Sequence, residues 1–183
     1  VTHEKLMVAK VKRGTDNMAR GPAMSREEAV QSLEAGIAVA EQLAEAGYGV
    51  LATGEMGIGN TTPSAAMLAV FAGTDAEVTV GRGTGVDDAG LARKREAVRR
   101  AIAVNEPDAS DPIGVLAKVG GLEIAGLAGL AIGAAACGVP LVVDGFISTV
   151  AAIAACRIAP GVKPYLIASH LSDEQGHKLA LDV

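Results

Sequence analysis

Apolar residues recur with a helical period along residues 26–46, where Ala29, Val30, Leu33, Ile37, Ala40, Leu43 and Ala44 share one face. Ser25 precedes them and Glu28 follows three residues later, the signature of a capping box. Gly47 ends the pattern. The apolar run 48–52 predicts a short buried strand. Thr62-Pro63 predicts the next helix start, a hydroxyl cap and then proline at the first helical position, where its missing N–H costs nothing. That helix runs to about Phe71, and residues 76–80 predict a second strand. Asp87 or Asp88 caps a charged helix that extends to about Val104. Asp111-Pro112 opens another helix, which Gly120-Gly121 interrupts or ends, and residues 121–137 predict an apolar helix. Residues 139–143 are an all-apolar strand ending in Asp144-Gly145. A buried helix over 146–158 stops at Pro160-Gly161, and a last strand over 165–168 runs into Ser169-His170. Residues 5–12 predict an edge strand or extended arm, and 13–22 a polar loop.

Strands and helices thus alternate, and the strands are continuously apolar. Both features predict an α/β fold, a mostly parallel sheet with helices on both faces in a Rossmann-like three-layer arrangement. Four strand ends would then deliver Glu55, the Arg82 loop, Asp144, and Ser169 with His170 to one edge. No internal repeat, linker or composition shift divides the chain, so residues 1–183 are expected to form a single domain.

Composition narrows the function classes. Half the residues are apolar, yet only 2% are aromatic and none is Trp. Ala and Gly dominate, which suits backbones packed close together. Few aromatics argue against base stacking, and a net charge of −5 with pI near 5.2 argues against a phosphate-backbone partner. The Gly/Ala-rich run 113–159 is broken by Lys118, Glu123, Pro140 and Asp144, so no membrane span is expected. Cys137 and Cys156 lie in apolar surroundings and are expected to be buried thiols of a reducing, cytoplasmic compartment. His3, His170 and His177 form no metal motif. No signal peptide is expected at the start, and Val1 in place of an initiator methionine fits a fragment or processed chain.

The densest chemistry lies in GEMGIGNTTPSAA, residues 54–66. Three glycines, Glu55, Asn60, Thr61 and Thr62 sit between a strand end and a helix N-terminus, where exposed N–H groups favour an anion. Glu55 is either a solvated loop acid or a carboxylate facing a ligand. A second glycine segment, Gly81, Arg82, Gly83, Thr84 and Gly85, is either a tight turn or a phosphate contact. It matches neither the dinucleotide fingerprint nor a Walker loop. Lys94, with Arg93, Arg95, Arg99 and Arg100 beside it, belongs to a solvated basic face or folds back toward the phosphate. Asp144 closes an apolar strand and either caps the next helix or touches a ligand. His170 is a surface, structural or site residue. No nucleophilic triad is present. These residues point to an enzyme acting on a phosphorylated small molecule.

The blocks RGTDNMARGPAMSREEA, GEMGIGNTTPSAA, GRGTGVDDAGLARKREAVRRAI, VDGFISTVAA and SHLSDEQGH, in order along the chain, resemble nicotinate-nucleotide–dimethylbenzimidazole phosphoribosyltransferases. The resemblance implies transfer of ribose 5-phosphate from nicotinate mononucleotide to 5,6-dimethylbenzimidazole in cobalamin nucleotide-loop assembly. It implies no cofactor and no metal. It also implies a parallel α/β fold with a small helical subdomain, here incomplete, and a homodimer. The Gly/Ala-rich segment 121–137 either packs across the two-fold axis or sits centrally in one subunit. By resemblance the segment Gly81 to Gly85 and Lys94 hold the 5′-phosphate with Gly145 and Ser172 near it. Glu55 lies beside base and ribose, Asp144 is a second catalytic carboxylate, and Met56 walls the aromatic acceptor. The family's principal base lies in a Gly-Glu-Gly-Ser block downstream of the Ser-His block. The chain ends before it and also lacks the family's long N-terminal segment, so it resembles the central part of the enzyme.

Overall fold

A computed structural model describes residues 3, 6–83 and 85–183. Lys5 of the predicted arm and Thr84 of the second glycine segment fall outside the described residues. Residues 6–12 form no strand. Helix α1 (Arg26–Glu45) begins at the predicted capping box: Ser25 Oγ accepts from the Glu28 N–H at 3.1 Å, and Glu28 Oε2 accepts from the Ser25 N–H at 2.9 Å. Then follow β1 (Leu51–Ala52), α2 (Thr61–Ala72), α3 (Ala76–Thr79), α4 (Asp88–Asn105), α5 (Pro112–Val119) and α6 (Leu122–Ala136). The C-terminal part holds β2 (Leu141–Val143), α7 (Gly145–Ile158), a 3-10 turn (Pro160–Tyr165), β3 (Leu166–Ala168) and α8 (His177–Asp182).

The three strands are parallel in the order β1-β2-β3, with Leu51 opposite Leu141 and Val142 opposite Ile167. The parallel α/β expectation holds, but the chain is mostly helical and the sheet is small. Three local expectations are corrected. Residues 76–79 are helix rather than strand, because Asp75 accepts from the Glu77 N–H at 2.7 Å and so caps a short turn. The run 48–52 yields only two strand residues: Leu51 is buried, but Tyr48 is 58% exposed and Val50 55%. Helix α2 starts one residue before the predicted Thr62 cap, which puts Pro63 inside the first turn, where no intrahelical N–H partner is needed.

The core is built on close backbone contact. A Cβ placed on Gly36 of α1 would lie 1.9 Å from the Gly126 carbonyl oxygen, and one on Gly129 of α6 would lie 1.9 Å from the Leu33 carbonyl oxygen. Only glycine lets α1 and α6 approach this closely. One face of the Gly/Ala-rich segment 121–137 is therefore engaged inside the chain by α1, as the central-helix alternative expects. Cys137 is exposed at the C-terminal cap of α6, and Cys156 on α7 is half-buried, so neither is the fully buried thiol the sequence predicts. Cys137 lies past the last helical turn, where packing ends. No helix among the described residues is long and apolar enough to cross a membrane.

Candidate active site

The loop after β1 folds on its own acid. Glu55 Oε2 accepts from the Gly57 N–H and, at 2.8 Å, from Asn60 Nδ2. Gly57 and Gly59 have φ of +71° and +76°, which glycine adopts without strain. Asn60 is buried at the N-terminal cap of α2 and gives its amide to Glu55 rather than capping the helix. Glu55 itself is exposed, and its Oε1 makes no hydrogen bond among the described residues. Glu55 is thus a carboxylate held by one oxygen and open at the other. Met56 and Ile58 point outward, 83% and 78% exposed. With Glu55 they line a cavity of about 860 Å³ that also borders α1, the start of α6 and residues 7–15.

The second glycine segment does not follow a strand, as residues 76–80 were predicted to supply. It follows α3 and turns back on itself, with the Gly85 and Val86 N–H groups donating to the Arg82 carbonyl at 3.3 Å. Gly83 and Gly85 have φ of +59° and +101°. Lys94, on α4, does not join a solvated basic face. Its Nζ donates to the Gly81 carbonyl at 2.9 Å and to Thr61 Oγ1 at 3.3 Å. It thereby ties the glycine segment to the first residue of α2, next to the Glu55 loop. Burial lowers its pKa, while the Glu174 carboxylate opposes that shift. Glu174 lies close against this segment, since a Cβ on Gly81 would come 2.5 Å from its Oε2. Two of the neighbouring cations are engaged elsewhere: Arg95 pairs with Glu77, and Arg99 with Asp75 and Glu77. Arg82 donates to the Val86 carbonyl and pairs with Asp88.

Asp144 sits at the end of β2. Its backbone N–H donates to Thr53 Oγ1 at 2.9 Å, which links the ends of β1 and β2. Its side chain makes no cap bond to α7; Oδ1 lies 3.6 Å from His170 Nδ1 and both side chains are more than half exposed. Of the two alternatives for Asp144, capping is excluded. The Ser169 hydroxyl also contacts His170 Nδ1, at 2.8 Å. Gly145 follows at φ +76°. Ser172 is held by His177, whose Nδ1 lies 2.8 Å from its N–H and 2.7 Å from its Oγ.

The structure therefore gathers Glu55, Met56, Gly81 and Lys94 around the start of α2, and Asp144, Gly145, His170 and Ser172 around the ends of β2 and β3. Sequence reasoning missed Thr53, Thr149 and His177 as site neighbours. Thr149 carried a usable signal: it lies four residues after Gly145, the spacing at which a threonine hydroxyl bonds a helix carbonyl. Nothing local marked Thr53 or His177, because their partners are distant in sequence or come from an irregular loop.

The sequence matches the family DBI_PRT, described as Phosphoribosyltransferase, over residues 1–183. It is 56% identical over 177 residues to the nicotinate-nucleotide–dimethylbenzimidazole phosphoribosyltransferase of Geobacter sulfurreducens, covering 97% of this chain and 50% of that protein. It is 58% identical over 167 residues to the protein of the same name in Halalkalibacterium halodurans, covering 91% and 47%. A crystal structure of CobT from Thermus thermophilus superposes with a TM-score of 0.94 at 46% identity, over 100% of this chain and 54% of that one. The chain thus spans about half the length of the curated relatives it matches. It belongs to the phosphoribosyltransferase family.

Proposed function

We propose that this chain binds nicotinate mononucleotide and serves the transfer of its ribose 5-phosphate to 5,6-dimethylbenzimidazole, giving α-ribazole 5′-phosphate and nicotinate. The observation that carries the reading is the Lys94 ammonium. It is drawn out of bulk water, fixed between the Gly81 carbonyl and the Thr61 hydroxyl, and sits within one turn of the Glu55 loop. A cation so placed suits a phosphate monoester. The names and identities of the relatives support this donor and acceptor.

The reaction breaks the bond between nicotinate nitrogen and the ribose anomeric carbon. A benzimidazole nitrogen attacks the same carbon, and the ring N–H proton is lost. Positive charge accumulates on the ribose in between, and carboxylates near it stabilise that state electrostatically. Glu55 has one oxygen anchored by Gly57 and Asn60 and the other open. In this reading it supports the ribose and assists proton removal, and Asp144 is a second carboxylate at the neighbouring strand end. The phosphate rests on Gly81, Gly83, Gly85 and Lys94, with Gly145 and Ser172 approaching from the β2 and β3 ends. Met56 and the apolar cavity it lines take the acceptor. The protein acts in the cytoplasm as a homodimer, without nucleic acid.

Product formation from the two substrates, followed by chromatography, tests the reading together with calorimetric binding of the donor. The donor should bind, and Glu55→Gln should lower the rate by about 10²–10⁴. Failure to bind the donor would overturn the reading, as would an unchanged rate in Glu55→Gln. Tight donor binding without any product would assign the chain to nucleotide binding alone.

A further inference from the structure

His177 is 1% exposed, yet every polar atom of its ring is engaged. The Ser172 backbone N–H can only donate, so the Nδ1 that it meets at 2.8 Å must carry a lone pair. The Ser172 hydroxyl, 2.7 Å from the same nitrogen, shares that single lone pair with the N–H and can turn to a phosphate oxygen without breaking the link. The ring proton therefore sits on Nε2, which donates to Thr149 Oγ1 at 3.0 Å. Thr149, having accepted, donates its own proton to the Gly145 carbonyl at 2.7 Å. One directed chain of hydrogen bonds thus runs from the segment after β3, through a buried imidazole, to the turn after β2. No other described hydrogen bond joins Ser172 to Gly145.

We propose that His177, as the neutral Nε2–H tautomer, is a positioning residue that sets Ser172 against Gly145 and so shapes the phosphate end of the donor site. The inference rests on the phosphate assignment made above. Protonation of the ring would place a hydrogen on Nδ1, facing the Ser172 N–H donor, and would break the chain at its first link. Burial holds the ring's pKa below the ordinary histidine value, and nearby His170 lowers it further. The rings of the two histidines lie 6.2 Å apart, nearly perpendicular. The groups around His177 are few. Helix α7 presents Phe146 and Thr149; the segment 169–176 brings His170, Asp173 and Glu174; α8 itself carries Lys178 and Asp182, and Asp144 lies beyond His170.

Glutamine can imitate the neutral tautomer, accepting from Ser172 with its oxygen and donating to Thr149 with its amide, but it cannot be protonated. Nicotinate mononucleotide binding is therefore compared by calorimetry for wild type and His177→Gln between pH 5 and 8. The phosphate's own ionisation is common to both proteins and cancels in the comparison. At pH 8 the two affinities should agree within about threefold. Toward pH 5 the wild type should lose about tenfold more than the variant, in the native His170 background and with His170→Gln. Long-range proton–nitrogen NMR of the wild type should show the Nε2–H tautomer at pH 7 without any ligand. Superimposable pH profiles, a charged ring at pH 7 or an Nδ1–H tautomer would each overturn the role of His177 while leaving the phosphate site standing. Absence of nucleotide binding by wild type at pH 8 would overturn both.

Discussion

Lys94→Met removes one positive charge while keeping most of the side chain's length and its packing. In the structure Nζ has three protons, two of them committed to the Gly81 carbonyl and Thr61 Oγ1. The third is available to a phosphate oxygen. A hydrogen bond to a charged group contributes about 1.5–3 kcal/mol, and each 1.4 kcal/mol is tenfold in affinity, so the variant should bind nicotinate mononucleotide about 10- to 150-fold more weakly. The loss should be specific. Nicotinate riboside, which has no phosphate, should bind wild type and variant within about threefold of one another, since no charge-assisted bond is lost. Folding should suffer less than binding, because the variant also relieves the desolvation of a half-buried ammonium. Calorimetry on both ligands, with thermal melts of both proteins, separates the two effects. Equal weakening of nucleotide and riboside would refute the reasoning, as it would place Lys94 beside the base or sugar. So would a nucleotide affinity that does not change.

Two further outcomes concern stability. Gly129→Ala forces a methyl group into the Leu33 carbonyl of α1, backbone that cannot rotate away, and should cost at least about 1–3 kcal/mol, read as a melting point lower by about 2–4 °C per kcal/mol. Asp75, paired with Arg99 and accepting the Glu77 N–H, has its pKa lowered to about 2, first by Arg99 and then by that backbone bond. Its contribution is therefore complete above the ordinary carboxylate pKa of 3.8 and is lost as pH falls toward 2; Asp75→Asn should flatten the stability profile in that window alone, measured by denaturant titration at each pH.

Much of this was legible in the sequence, for a physical reason. Helix starts are decided within four residues, so Ser25 with Glu28 and Asp111 with Pro112 could each be identified without tertiary information, and the α4 cap narrowed to Asp87 or Asp88, of which Asp87 makes the bond. Helix α6 and strand β2 announced themselves by length and unbroken apolarity. The segment 76–80 misled because alternating Val and Thr favour a strand, while the Asp75 side chain, bonded two residues on, decides for a helical turn. At the site, Glu55, Gly81 and Lys94 stood out because glycines and charges cluster there between an apolar strand and the helices that follow. What was not legible was pairing. Which of five clustered cations would reach the glycine segment depends on α4 facing α2; Lys94 has a carbonyl and a hydroxyl in reach there, while Arg95, also half-buried, pairs with Glu77. The same holds for His177, which the sequence only showed to belong to no metal motif and which is buried among partners on two other segments.

The glycines that hold the core together also shape the cavity proposed for the acceptor. Gly36 and Gly126, whose backbones meet between α1 and α6, line the same space as Glu55, Met56 and Ile58. Helices in such contact cannot slide or part without losing the close approach that only glycine permits, so the wall they form is rigid. The opposite wall is the loop after β1, where Met56 and Ile58 are largely exposed and bound by few contacts. The cavity therefore combines one fixed apolar wall with one adaptable one, and Met, unbranched and polarizable, is the side chain best able to refit around a flat aromatic ring. Glu55 borders the same cavity, with one oxygen anchored by Gly57 and Asn60. Tolerance for differently substituted acceptors would then reside in Met56 and Ile58, whereas the direction from which any acceptor meets the ribose would be set by α1, α6 and Glu55.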